Sequence, residues 1–256
     1  MSDIAAWESL TRELDLWAAW GRTASFWWRD DDATTPTPAL STLRACATAA
    51  GIPVALAVIP ARATPELAAE LRGWPSVSVL QHGLSHANHE TPPAKKTELG
   101  PARPTQHVIA DLIRGWNLLE AFEHPLPVLV PPWNRISPDL IGRLPGLGYK
   151  GLSTFTPRAR PYPAPGLLQV NTHVDIIDWR GGGVFAGTAA VISATVRHLS
   201  ARRSGAADPD EPTGLLTHHL VHDVDCERFL DQFTAATSQH PAANWLSVRD
   251  IFGSLS

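Results

Sequence analysis

Short apolar runs alternate with Ala/Leu-rich segments of helical spacing along most of the chain. The runs occupy residues 25–28, 54–59, 77–80, 128–130, 151–155, 167–170 and 215–217. Between them, residues 38–50, 65–72, 107–122, 138–144 and 188–201 carry apolar side chains three or four apart. Buried parallel strands read as unbroken apolar runs, and strands alternating with helices predict βαβ crossovers. Thr64 before Pro65 and Glu66, and Ser137 before Pro138, have the form of an N-cap followed by proline in the first turn. An open sheet and a barrel of about seven parallel strands both satisfy this pattern. Upstream, Ala5, Trp7, Leu10, Leu14, Trp17 and Trp20 predict an amphipathic helix within residues 1–24, packed against one domain of residues 25–256. Residues 90–106, 156–166 and 203–213 read as long loops of the kind that often shape a site.

Composition narrows the classes. With 256 residues and 44% hydrophobic content the chain can bury a large core and is not disordered. Lys and Arg total 21 against 25 Asp and Glu, a net charge of −4, with no basic stripe for nucleic acid. The densest apolar stretch, residues 54–59, is far too short to span a membrane. Asp3, Glu8, Arg12, Glu13 and Asp15 break up any signal-peptide core, so the expected location is cytoplasmic. Cys46 and Cys226 form neither a disulfide framework nor a metal-type spacing.

Polar, titratable residues recur at the ends of the apolar runs. The first run ends in Trp27-Trp28-Arg29-Asp30-Asp31-Asp32, which suits either a solvated acidic turn or a cation site. The third is followed by Gln81-His82-Gly83-Leu84-Ser85-His86-Ala87-Asn88-His89. One helical turn would set His82 and His86 on the same face, and two His with one carboxylate can hold a catalytic zinc. His89 falls in the following loop. Residues 174–179 supply Asp175, Asp178 and Trp179, and residues 216–223 supply His218, His219, His222 and Asp223. In barrels and doubly wound sheets that strand edge is where separate segments build a site.

In this order the segments resemble the polysaccharide deacetylases, carbohydrate esterase family 4. Asp31-Asp32-Ala33 is similar to the family's Asp-Asp-small motif, and His82-Gly83-Leu84-Ser85-His86 to its His-x-x-x-His. Val130-Pro131-Pro132-Trp133-Asn134 matches part of its Arg-x-Pro-aromatic segment. Asp175 to Trp179 resembles Asp-x-x-Asp-Trp, and Leu216-Thr217-His218 resembles Leu-x-His. The resemblance implies a distorted (β/α) barrel and hydrolysis of an N-acetyl or O-acetyl group on a carbohydrate by metal-activated water. It assigns one divalent metal to Asp32, His82 and His86, zinc first, with cobalt, nickel or manganese as alternatives. Asp31 becomes the general base, His218 the acid that protonates the leaving amine, and Asp178 the carboxylate that keeps His218 charged. Backbone N–H near Trp133 joins in holding the oxyanion, and Trp133, Trp179 and Pro132 line the pocket.

Two positions depart from the motifs. Val130 stands where the family has an arginine beside the base; Arg135 is the first replacement considered, and Arg29 the second. The triplet also leaves the register open, because strand alternation puts Asp30 and Asp32 on one side and Asp31 on the other. Asp31 is taken as base and Asp32 as ligand because Ala33 then fills the small-residue slot. A metal-dependent hydrolase of a small non-sugar amide or ureide, and a non-catalytic carbohydrate-binding relative, are the alternatives. No Gly-x-Ser-x-Gly elbow and no phosphate-binding Gly-x-x-x-x-Gly-Lys loop occurs, and residues 181–183 read as a flexible glycine turn.

Overall fold

The computed structural model describes residues 2–123 and 125–253. Helix α1 (Asp3–Ala19) leads into strand β1 (Ala24–Ala33), followed by α2 (Pro38–Ala50), β2 (Val54–Val58), α3 (Pro65–Arg72), β3 (Val77–His82) and α4 (Thr105–Leu119). Then come β4 (Val128–Val130), α5 (Pro138–Ile141), β5 (Gly151–Leu152), β6 (Leu168–Gln169), β7 (Val174–Asp175) and a hairpin of β8 (Ile177–Asp178) and β9 (Val184–Phe185). The chain finishes with α6 (Thr188–Ser204), β10 (Thr213–Thr217), α7 (Val224–Ser238), β11 (Ala243–Trp245) and α8 (Val248–Phe252).

The main sheet is parallel in the order β6-β5-β4-β3-β2-β1-β10-β7, with β11 added to the start of β1. Its outermost strands, β6 and β7, are joined by residues 170–173 alone. Five residue steps reach at most about 18 Å, whereas eight strands laid flat would span about 34 Å. The sheet must therefore curl until its edges meet. Residues 168–175 are in effect one extended strand whose pairing changes side. Val170 and Thr172 donate N–H to the carbonyls of Leu152 and Thr154, and His173 and Ile176 donate to Gly214 and Leu216. Seven strand positions thus close a distorted (β/α) barrel, a choice the apolar pattern left open.

Strand alternation sorts the core into two layers. Phe26, Trp28, Val54, Leu56, Val58, Val79 and Leu215 face outward and pack with helices α1, α2, α3, α6 and α7. Trp27, Ala55, Ala57, Leu80, Val128 and Val130 fill the barrel interior. Thr37 and Thr64 cap α2 and α3 by accepting N–H of Leu40 and Leu67. Ser137 makes no such bond to α5, whose four residues leave little to cap. The sequence reading missed α7, capped by Asp223, although Cys226, Phe229, Leu230 and Phe233 mark its buried face.

Helix α1 buries Ala6, Leu10, Leu14 and Trp17 against α6, while Trp20 stays 57% exposed. Glu13, nearly buried, takes both arms of Arg203 at 2.8 and 3.0 Å. The loop expected at 90–106 loses its end to α4, and that at 203–213 is trimmed by α6 and β10. Cys46 and Cys226 are free thiols. No helix among the described residues is long and apolar enough to cross a membrane.

Candidate active site

The C-terminal ends of β1, β3, β4 and β10, with the segment after β7, surround a pocket of about 670 Å3. Alternation along β1 sends Trp27 and Arg29 inward, and Asp31 follows them. Asp30 goes outward, where its carboxylate accepts the Thr217 hydroxyl at 2.6 Å, the His219 N–H at 2.9 Å and His219 Nδ1 at 2.5 Å. Alternation would take Asp32 outward as well. It does not, because the pairing with β2 slips between Asp31 and Ala33 and Asp32 turns left-handed, with φ of 74°. That bulge brings Asp31 and Asp32 to the same pocket and removes the ambiguity of the triplet.

His82 and His86 meet without a helix. His82 ends β3, and Gly83 and His86, both at φ 57°, fold the next residues back so that the imidazoles lie 5.1 Å apart. Glu98, 1% exposed, holds this turn: its carboxylate accepts the N–H of Leu84 and Ser85 and the Ser85 hydroxyl at 2.8 to 3.1 Å. A Cβ on Gly83 would sit 2.0 Å from Glu98 Oε2, so only glycine fits between them. Neither Glu98 nor its role was visible in the sequence, where it is one charge in a polar loop. His89 is exposed and turns to Arg103.

Oδ1 of Asp32 lies 3.2 Å from His82 Nε2 and 3.4 Å from His86 Nε2. Nδ1 of His82 donates to the Val130 carbonyl at 2.9 Å, which leaves the Nε2 lone pair facing the carboxylate. Asp32 Oδ1 is buried and has no hydrogen-bond donor of its own. Burial acts to raise Asp32, but the His82 contact and the neighbouring imidazoles hold it well below the usual carboxylate range. Burial likewise acts to lower His82, and Asp32 and Asp31 push it up instead. Both shifts describe a space that draws positive charge. The three side chains form a two-histidine, one-carboxylate set whose donor atoms lie within 4.8 Å of one another, and they fit a divalent metal.

The guanidinium beside Asp31 belongs to Arg29. Arg29 is fully buried, and its Nε and Nη2 grip the two Asp31 oxygens at 2.8 and 3.0 Å. Its other N–H groups go to the Ser153 hydroxyl, the Thr154 carbonyl and Asn134 Oδ1, so all five donors are used. Arg135, the replacement preferred from the sequence, lies at the pocket mouth and donates to the Lys96 carbonyl at 2.8 Å. The reason is geometric: residues 29 and 31 share one face of one strand, whereas Arg135 follows a turn that has left the sheet.

Two further expectations are corrected. Asp178 is exposed and caps the N–H groups of Arg180 and Gly181, each at 3.0 Å. The carboxylate in the pocket is Asp175, whose oxygens accept from Ile177 N–H and Trp179 Nε1 at 2.9 Å and whose charge acts on His218. Burial raises Asp175 above the usual range despite His218. Pro132 is buried under the Gly83 turn, its ring 2.7 Å from where a Gly83 Cβ would be, and it braces that turn without lining the pocket.

Trp133 and Trp179 both reach the pocket. Trp133 and Asn134 are left-handed at φ 54° and 56°, which sets the Trp133 ring tilted against His86 at 4.2 Å and aims Asn134 at Arg29. Asn134 and Arg135 N–H bond to the Pro131 and Pro132 carbonyls, which leaves over the Trp133 amide. Trp179 meets His218 edge-on at 4.8 Å, and Nδ1 of His218 is buried without a partner.

No protein-family model and no curated protein matches this chain. Solved structures do. A chitin deacetylase from the fungal pathogen Colletotrichum lindemuthianum superposes with a TM-score of 0.56 at 15% identity, covering 91% of this chain and 88% of that one. A family 4 acetyl xylan esterase from Clostridium thermocellum, solved with a cobalt ion, gives 0.54 at 15% identity over 89% and 90%. A family 4 carbohydrate esterase from Streptomyces lividans, in complex with acetate, gives 0.52 at 16% identity over 84% and 90%. The resemblance first carried by five short motifs thus extends to the backbone, and this chain has the fold of the polysaccharide deacetylases.

Proposed function

We propose that this protein is a metal-dependent hydrolase that removes an acetyl group from a carbohydrate nitrogen or oxygen. One observation carries the reading: a candidate metal-ligand set, a carboxylate clamped by a buried arginine and a histidine next to a half-buried acid face one pocket. A binding module has no use for that combination, so the non-catalytic alternative is disfavoured. The structural neighbours described as deacetylases and esterases support acetyl transfer to water over cleavage of a ureide.

Asp32, His82 and His86 would hold the cation, zinc first, which when bound supplies Lewis acidity for the carbonyl and activates water. Asp31 takes the proton of the attacking water on a carboxylate oxygen. The Arg29 clamp fixes that carboxylate in place, so no reorganisation is needed when the proton arrives. The Trp133 N–H would serve as donor to the developing oxyanion, a kind of donor worth about 3 kcal/mol elsewhere. His218 returns a proton to the leaving nitrogen or oxygen, with Asp175 beside it in the pocket. Trp133, Trp179 and Phe155 give the sugar ring apolar walls.

The test is acetate release by zinc-reconstituted protein from N-acetylglucosamine oligomers and acetylated xylan, with Asp31→Asn and His218→Asn alongside. Turnover by wild type, lost in both variants with metal content retained, is expected. Metal-replete wild type that releases acetate from none of them, but ammonia from small amides, would transfer the assignment to the ureide reading.

A further inference from the structure

The mouth of the pocket is cationic although the chain as a whole carries −4. Lys96, from the loop after β3, Arg135, from the turn after β4, and Arg180, from the β8–β9 hairpin, converge on it from three separate segments. None of the three is in an ion pair among the described residues. Arg135 is half-buried and docked by one arm on the Lys96 carbonyl, while the Thr97 hydroxyl donates to the Arg135 carbonyl. Its fork is therefore held in place with donors to spare. The acids of the pocket do not cancel these charges. Asp31 is taken by Arg29, Asp32 belongs to the metal set, and Asp175 faces Trp179 and His218. Asp178, two residues before Arg180, caps backbone N–H groups.

Unpaired cations around a cleft walled by aromatic rings recognise an anion attached to a flat or ring-shaped ligand. Resting on the hydrolase reading above, we propose that the substrate is an acetylated sugar bearing a phosphate or carboxylate group, which Arg135, Arg180 and Lys96 bind while the ring lies between Trp133, Trp179 and Phe155. A neutral glycan would leave three cations at the entrance without an anionic partner. The anion also explains a cationic lip on an acidic protein, since the lip reverses the field that an anionic substrate meets elsewhere on the surface.

The experiment uses the zinc-loaded full chain and three matched compounds: N-acetylglucosamine, its phosphate ester and an N-acetylated amino sugar carrying a carboxylate. Acetate release gives kcat/KM for each, and calorimetry on Asp31→Asn gives binding without turnover. Wild type is expected to prefer at least one anionic compound by tenfold or more, mainly through KM, and the preference to shrink as salt rises. In Arg135→Gln/Arg180→Gln that ratio collapses toward one, and the better of the two anionic compounds tells phosphate from carboxylate. Equal use of neutral and anionic compounds, or a preference that survives both substitutions, overturns the proposal and leaves the hydrolase reading standing. Tight, Arg135-dependent binding of an anionic sugar with no acetate released from any compound supports the anion site and overturns the hydrolase reading instead.

Discussion

At the scale of single residues, Arg29 has the largest consequence. A buried guanidinium with five satisfied donors can be removed only by leaving Asp31, 1% exposed, as an unpaired charge. Breaking such a pair from one side costs about 3–5 kcal/mol. We expect Arg29→Met to lower the unfolding free energy from urea titration by that amount, and a loss under 1 kcal/mol would mean that water reaches Asp31. The pairing was within reach of the sequence, since residues two apart in a strand share a face. What obscured it was the expectation that the arginine must follow β4, where Val130 faces the barrel interior. Asp175 was hidden in the same way, because two acids three apart look equivalent until one is found half-buried in the pocket and the other exposed. Asp32 could not be placed from alternation at all, because a bulge adds no letter to the sequence.

At the scale of elements, the site depends on turns more than on helices. The strand ends were legible because continuous apolar runs stop where the polar residues start, and β4 coincides with its run. The left-handed turn at 83–86 was not legible, because its partner Glu98 lies 13 to 14 residues beyond the amides it accepts, in a polar loop. Replacing Glu98 by Gln puts an amide where two backbone N–H groups and a hydroxyl need acceptors. Metal affinity is expected to fall 10- to 100-fold, the range for groups that orient ligands without touching the metal. Competition with a chromogenic chelator measures it, and unchanged affinity would show that the turn holds itself. Loop 90–106 thus supports the turn that carries the candidate ligands through Glu98 and reaches the pocket through Lys96.

At the scale of the whole molecule, the barrel carries a buried polar cluster outside the pocket lining. His173 and His198 stack at 3.6 Å, and Glu211 lies 3.3 Å from His173 Nε2. Gly214 N–H donates to His173 Nδ1, so the proton of the neutral ring sits on Nε2, facing Glu211. That ring is a donor there, and Arg202 and Arg158 add positive charge beside it, so the cluster is a polar core without the character of a metal cradle. Burial, with the charges of His173 and Arg202, pushes His198 down to about 2, and burial lowers His173 as well. The unfolded chain takes protons below about pH 6.5 that the folded chain refuses. Stability from this pair is therefore complete above that pH and declines as pH falls, by about 1.4 kcal/mol per pH unit for each proton. His198→Asn should lose less of its urea midpoint than wild type between pH 7 and 5. Equal losses would mean that the pair takes no part.

Closure by one strand that changes partners also dictates an order of assembly. Asp31, Asp32, His82 and His86 come from β1 to β3, which pair with their neighbours in sequence. His218 is set beside them by the pairing of β10 with β1, whereas Asp175 enters the pocket only when residues 168–175 pair with β10, some forty residues further on. A nascent chain, or a native one breathing at this latch, would keep Asp32, His82 and His86 together while Asp175 is still away. In hydrogen exchange, amides of 170–176 should open before those of 54–58 and carry Asp175 out of register with them. The latch would then act as an assembly checkpoint, since the pocket lacks its Asp175 carboxylate until the ring is whole.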